Sequence, residues 1–252
     1  MCIRDRLNAE RRVLEIDHPW STDYMLTCKT HMLAVLNDYK NTEECAITFR
    51  DSAIEHGFPW WVAAASINLG WAIAHRGKVT EGLEMAVSNV AAWRSMGAEL
   101  AAPNFYLRVA EIYLLDSNPA HALIALDEAI SIIANTCEGL YEAEIHRVKG
   151  ETLALLSRRE EALAEFSTAL AMAKKRNQHL WFVRAALSHS RLSETTGTAF
   201  TDIALLKKAV ESFTDAEELQ ELIDAHTLIE NCLLYTSPSP RDRTRSRMPS
   251  SA

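Results

Sequence analysis

A repeat of 40 residues constrains this chain more than any other feature of it. Gly70, Ala110, Gly150 and Ser190 stand 40 positions apart, each inside an apolar helical stretch. Twelve positions after each come Gly82, Ala122, Ala162 and Asp202, and thirteen after come Leu83, Leu123, Leu163 and Ile203. Sixteen after come Ala86, Leu126, Phe166 and Leu206, and twenty after come Val90, Ile130, Leu170 and Val210. Small residues recur with small and large with large, apart from Ala86 in a column of large residues and the polar intruder Asp202. Such a period means that one supersecondary unit is stacked, each copy burying its face on the next.

The unit itself is clearest from Ile145 to Lys175, IHRVKGETLALLSRREEALAEFSTALAMAKK. Ile145, Val148, Thr152, Leu155 and Leu156 recur at helical spacing, and so do Ala162, Phe166, Ala169, Leu170 and Ala173. Ser157-Arg158-Arg159 between them leaves room only for a tight turn. Gly150 sits amid an apolar helix face, at a propensity cost of about 1 kcal/mol against Ala, which is tolerated where another backbone comes close. Small residues on one helix facing small-then-large residues on the next are the packing pattern of a tetratricopeptide hairpin, here longer than the usual repeat. The sequence therefore predicts an all-α, right-handed α-solenoid of tetratricopeptide-like hairpins, with about five hairpins and a closing helix.

Along the chain, Arg11–Asp17 reads as a short helix broken at His18-Pro19, followed by helices over 22–38 and 43–56, the second capped by Thr42. Gly57, Gly77 and Gly97 stop helices, and Pro59 and Pro119 open them, the latter behind Asn118 as its cap. Further helices are expected over 60–75, 79–96, 100–115, 119–135, 140–176 as a hairpin, 180–195 and 203–213. Asp215 is expected to cap a last helix over 216–230. No segment alternates as a strand does.

The two ends read differently. A back-translation of Met1–Arg6 (MCIRDR) is the reverse complement of DNA that encodes Cys232–Thr236 (CLLYT), so one inverted repeat can encode both. Residues 1–6 and 232–252 are accordingly expected to be translated sequencing adapter, the second stretch disordered, around an array over 7–231. Without these ends the formal net charge moves from −8 to −12, because the Arg-rich tail leaves the count. An acidic array excludes nucleic acid and anionic membrane as expected partners. Cys28, Cys45 and Cys137 remain, with no disulfide or metal spacing, which suits a reducing cytoplasm. No apolar run reaches the ~18 residues of a membrane span.

Catalytic motifs are not found. The chain has no GxxxxGK[ST] or GxGxxG phosphate cradle, no HExxH and no CxxC, so no catalytic, cofactor or metal residue is assigned. Ser188-His189-Ser190 with Glu194 lacks any companion that would build an oxyanion hole. Trp60, Trp61, Trp71, Trp93 and Trp181 could form an aromatic platform, but core between hairpins is the favoured reading. A stacked array does offer a concave groove lined by the first helix of each pair. In this register Trp71, Asn104, Glu111, Glu144, Arg147, Glu151, Arg184 and Arg191 line it. Their mixed charge suits a protein or peptide partner.

EHGFPWWVAAASINLGWAIAHRG (Glu55–Gly77) resembles a signature of the C-terminal tetratricopeptide region of large bacterial class III adenylate/guanylate cyclases. HPWSTDYML (His18–Leu26), EAEIHRVKGETLALL (Glu142–Leu156) and LWFVRAALSHSRL (Leu180–Leu192) resemble the same region. In those proteins an AAA or STAND-type ATPase lies between cyclase and repeats. The resemblance implies a non-catalytic regulatory scaffold whose partner is another protein or the ATPase of its own parent chain. The family's cyclase aspartates and ATPase phosphate loop have no counterpart here. Similar arrays follow ATPase modules in winged-helix transcriptional regulators, so the sensor arm of a transcriptional activator is the alternative.

Overall fold

The computed structural model describes residues 10–13, 15–16, 18–194, 200–211, 213 and 219–236, without the side chains of 194, 200–203 and 231–236. Residues 10–13 and 15–16 are helical. After them come α1 (Pro19–Val35), α2 (Tyr39–Glu55), α3 (Pro59–His75), α4 (Val79–Ser95), α5 (Ala102–Leu115) and α6 (Pro119–Thr136). They are followed by α7 (Glu142–Leu155), α8 (Arg159–Lys175), α9 (His179–Glu194), α10 (Phe200–Val210) and α11 (Gln220–Thr236). The described residues contain no strand. The chain divides into two compact units, Met1–Ala162 and Leu163–Ala252, with the division inside α8.

The helices are cut to length by a backbone device with half the sequence period. Asn37, Gly57, Gly77, Gly97, Ser117, Cys137, Ser157 and Asn177 all have positive φ, at steps of 20 residues. Six of these stops are Schellman motifs. At Ser157, for example, Ser157 N–H donates to the Ala154 carbonyl at 3.0 Å and Arg158 N–H to the Leu153 carbonyl at 2.9 Å. Each such stop leaves three connecting residues before the next helix, as at 36–38, 56–58, 76–78, 116–118, 156–158 and 176–178. Connections this short turn the chain straight back into a hairpin.

In the first unit consecutive helices α1 to α7 pack in order, and α1, α3, α5 and α7 also pack on one another in turn. The rungs identified by the 40-residue period are its seams. Gly70 and Gly82 bring the backbones of α3 and α4 together so closely that a Cβ at Gly70 would lie 2.6 Å from the Gly82 carbonyl oxygen. Ala86 and Leu126 are buried, as are Gly70, Ala110 and Gly150. Thr30 and Thr42 hold the equivalent rungs in α1 and α2 and are fully buried, so residues 19–55 form a further copy. In the second unit Val183, Ala186 and Leu187 of α9, Leu206 and Ala209 of α10, and Leu222, Ala225 and Ile229 of α11 form one core.

Several boundaries differ from the sequence reading. Helix α1 begins at Pro19, three residues earlier than expected, because a proline with fixed φ and no N–H suits the first helical turn. Asp38, not Thr42, caps α2, its carboxylate accepting from Asn41 N–H at 3.2 Å, while Thr42 is buried inside the helix. Helix α5 begins at Ala102 behind a left-handed Ala101, whose N–H donates to both oxygens of Glu138 at 3.0 and 2.9 Å. Helix α10 covers Phe200–Val210, earlier than the 203–213 read from sequence. The Asp215 cap lies outside the described residues. Helix α11 starts at Gln220 and runs to Thr236, past Asn231 and into the stretch expected to be disordered. Leu233 and Leu234 are strong helix formers, so nothing local stops a helix already under way.

Candidate partner surface of the first helices

The first helices of the first unit carry a contiguous polar string. On α5, one turn separates Arg108 from Glu111, and Arg108 Nη1 donates to Glu111 Oε2 at 3.0 Å. The same carboxylate oxygen accepts from Trp71 Nε1 of α3 at 2.7 Å. The Arg108 guanidinium lies over the Trp71 ring, 4.2 Å from its centroid. On α7, Arg147 forks onto Glu144 through Nε and Nη2, both at 2.9 Å, and its Nη1 reaches Glu151 at 2.6 Å. Burial disfavours the Arg147 charge, but Glu144, Glu151 and then Glu111 outweigh it and hold its pKa above the ordinary arginine range.

Trp71 and Asn104 have no exposed surface, and Glu144 is nearly as enclosed. Glu111 and Arg147 are mostly buried, whereas the Glu151 side chain is 40% exposed. Of the residues expected to line a groove in this unit, then, Glu151 is the one that offers a largely open side chain. The others form the seam between successive first helices. In the second unit Arg184 of α9 is engaged by Glu221 of α11, through Nε at 2.8 Å and Nη2 at 2.5 Å. Arg191, 55% exposed, meets Asp224 at 2.8 Å. These two pairs again join one first helix to the next.

Tyr39, Trp71 and His75 are likewise seam material. Tyr39 stacks on His75 with ring centroids 4.3 Å apart, and Trp71 lies 4.7 Å from the same imidazole. Trp60 is more open, its ring tilted at 53° to that of Trp93 with centroids 6.5 Å apart.

Arg108 is the residue that sequence reasoning missed. It is 3% exposed and sits where Trp71, Glu111, His31 and His75 converge. Burial, with the Arg108 charge added, lowers both histidines to about 4, so they are neutral at pH 7. The available signal was a lone arginine three residues before a glutamate in the otherwise apolar FYLRVAEIYLL. Asn104, one turn before Arg108, is buried with neither amide atom hydrogen-bonded among the described residues. The described residues contain no group of three or more His, Cys, Asp or Glu side chains able to hold a metal ion. They also contain no helix long and apolar enough to cross a membrane.

No family model and no curated protein sequence matches the chain. Solved structures do. A STAND signal-transduction ATPase with a tetratricopeptide repeat sensor from Pyrococcus horikoshii aligns over 86% of this chain at a TM-score of 0.58 and 12% identity. This chain spans 38% of that protein's length. A kinesin light chain candidate from Podospora anserina, built of nearly identical tetratricopeptide-like repeats, aligns over 80% of this chain and 99% of its own at a TM-score of 0.54 and 15% identity. The fold is therefore tetratricopeptide-like, an all-α array of helical hairpins.

Proposed function

We propose that this chain is a non-catalytic protein-interaction and regulatory array, the repeat arm of a signalling ATPase linked to a class III nucleotide cyclase. The observation that carries the reading is the likeness to a STAND protein's repeat-bearing chain, of which this chain spans only part. The Glu55–Gly77 signature supports the cyclase link over the alternative, the sensor arm of a transcriptional activator. Its partner is a protein, a peptide or the parent chain's own ATPase module, met on first-helix surface of either unit, where Glu151 of the first or Arg191 of the second reaches solvent. We further propose that residues 1–6 and 232–252 are adapter-derived and that the array works in the cytoplasm.

The test begins with the reading frame upstream of Leu7 in the source DNA. A cyclase domain with paired metal-binding aspartates decides for the first reading, and a winged helix for the second. The ATPase module encoded there, mixed with this chain in sedimentation velocity, should form a complex that Glu151→Arg weakens. A frame without an ATPase module, or a module that sediments apart from this chain, overturns the proposal.

A further inference from the structure

A second surface lies on the opposite side of the first unit, where α4 and α6 flank α5. There a groove of about 390 Å³ runs over Val90, Val109 and Ala125, with Tyr106 and Tyr113 along it and Glu128 at its rim. Ile124 stands beside it, 66% exposed. The repeat allows a direct comparison, because α2, α3 and α4 enclose the same interval one copy earlier. There Met85 holds the position of Ala125 and packs on Ala46, Leu69 and Ile73, filling the space. The rim changes in the same sense. Arg50, Ser66, Glu81 and Glu84 of the earlier copy are replaced by Val90, Tyr106, His121 and Ile124. Met85 thus occupies one interval, whose rim carries Arg50, Glu81 and Glu84 beside the apolar Ile47, and the neighbouring interval is open and more apolar. A concave apolar groove with few polar groups at its edge has the form of a docking site.

Charge selects the occupant. Glu128 is exposed and makes no ion pair among the described residues. Two cations near this end are both engaged elsewhere, Arg94 facing Glu99 at 3.8 Å and Lys149 pairing with Asp127 at 2.9 Å. The chain as a whole carries a formal charge of −8 at pH 7, which steers cationic partners toward it. We propose that this groove docks a basic amphipathic segment of a partner protein, seating aliphatic side chains on Val90, Val109 and Ala125 and a Lys or Arg at Glu128. The site uses a different face and different side chains from the first-helix surface, so it stands or falls separately from that reading.

Fluorescence anisotropy of the full chain tests it. The probe is a fluorescein-labelled peptide of Leu and Lys in helical register, run beside a twin with Glu for Lys and a twin with Ser for Leu. The Leu/Lys peptide should bind and both twins should fail. Ala125→Met, which copies the plug of the earlier interval, should weaken binding about tenfold, the equivalent of losing one or two buried aliphatic carbons. Ile124→Ser, at an exposed site that cannot disturb the core, should weaken it in the same direction. Glu128→Gln should lower both the affinity and its dependence on salt. A peptide that does not bind, an equal response to the Glu twin, or undiminished binding by Ile124→Ser and a folded Ala125→Met would each overturn the proposal.

Discussion

Individual rungs of the repeat differ in how much room they leave, and Gly70 leaves none. An added Cβ would lie 2.6 Å from the Gly82 carbonyl oxygen and 3.1 Å from Ala86 N, both backbone atoms that cannot swing aside. Gly70→Ala gains about 1 kcal/mol of helix propensity but overpacks a close backbone contact, at typically about 1–3 kcal/mol. The variant should lower the urea midpoint, and a raised midpoint would mean that α3 and α4 are not in this contact. A second residue-scale expectation concerns His31 and His75. Their folded pKa of about 4 lies below the unfolded value of 6.5, so the unfolded chain binds more protons between those values. Stability from these two groups is full above about pH 6.5 and is lost as pH falls toward 4. Asp23 and Glu138, raised by burial, run the other way. Melting temperature should drop between pH 7.5 and 5, and His31→Phe with His75→Phe should flatten that drop. An unchanged slope in the double variant would remove the histidines from the account.

Element length is governed by the left-handed stops, and these separate what was legible in sequence from what was not. Gly57, Gly77 and Gly97 announce themselves, since glycine is the usual residue at such a cap. Ser117, Cys137 and Ser157 do the same work at φ of 55, 60 and 61° and carry no such signal. Local chemistry disfavours them there, and they are held because the helices on either side are already fixed by packing. Ser157→Gly should therefore stabilise the chain, raising its melting temperature by a few degrees, on the order of 2–4 °C for each kcal/mol at this size. Gly77→Ala, at φ 99°, should lower it. If both glycine-adding and glycine-removing changes act alike, the caps are not what limits these helices. The helix starts show the same division: Pro59 and Pro119 were readable, while the Asp38 cap was hidden behind an equally plausible Thr42.

For the whole molecule the sequence carries no phosphate-binding loop, and the proposed scaffold role requires none. Calorimetric titration of the full chain with Mg-ATP should show no binding at micromolar affinity, and a measurable micromolar Kd would contradict a non-catalytic array. What the sequence alone determined is the class of fold. A 40-residue alternation of small and large residues permits only hairpins stacked in one register, because each copy must bury the same face. What the tertiary structure decided is the fate of the polar residues on that face. Glu111 reads from the sequence as a groove residue, yet Trp71 and Arg108 close on it between α3 and α5. Arg184 and Arg191 close likewise on α11. The period states which residues face the next helix. Only the distance between the helices states whether a partner or a neighbouring side chain satisfies them. The open groove beside α5 follows the same logic, since replacing Met85 by Ala125 becomes a cavity only where the flanking helices do not close in.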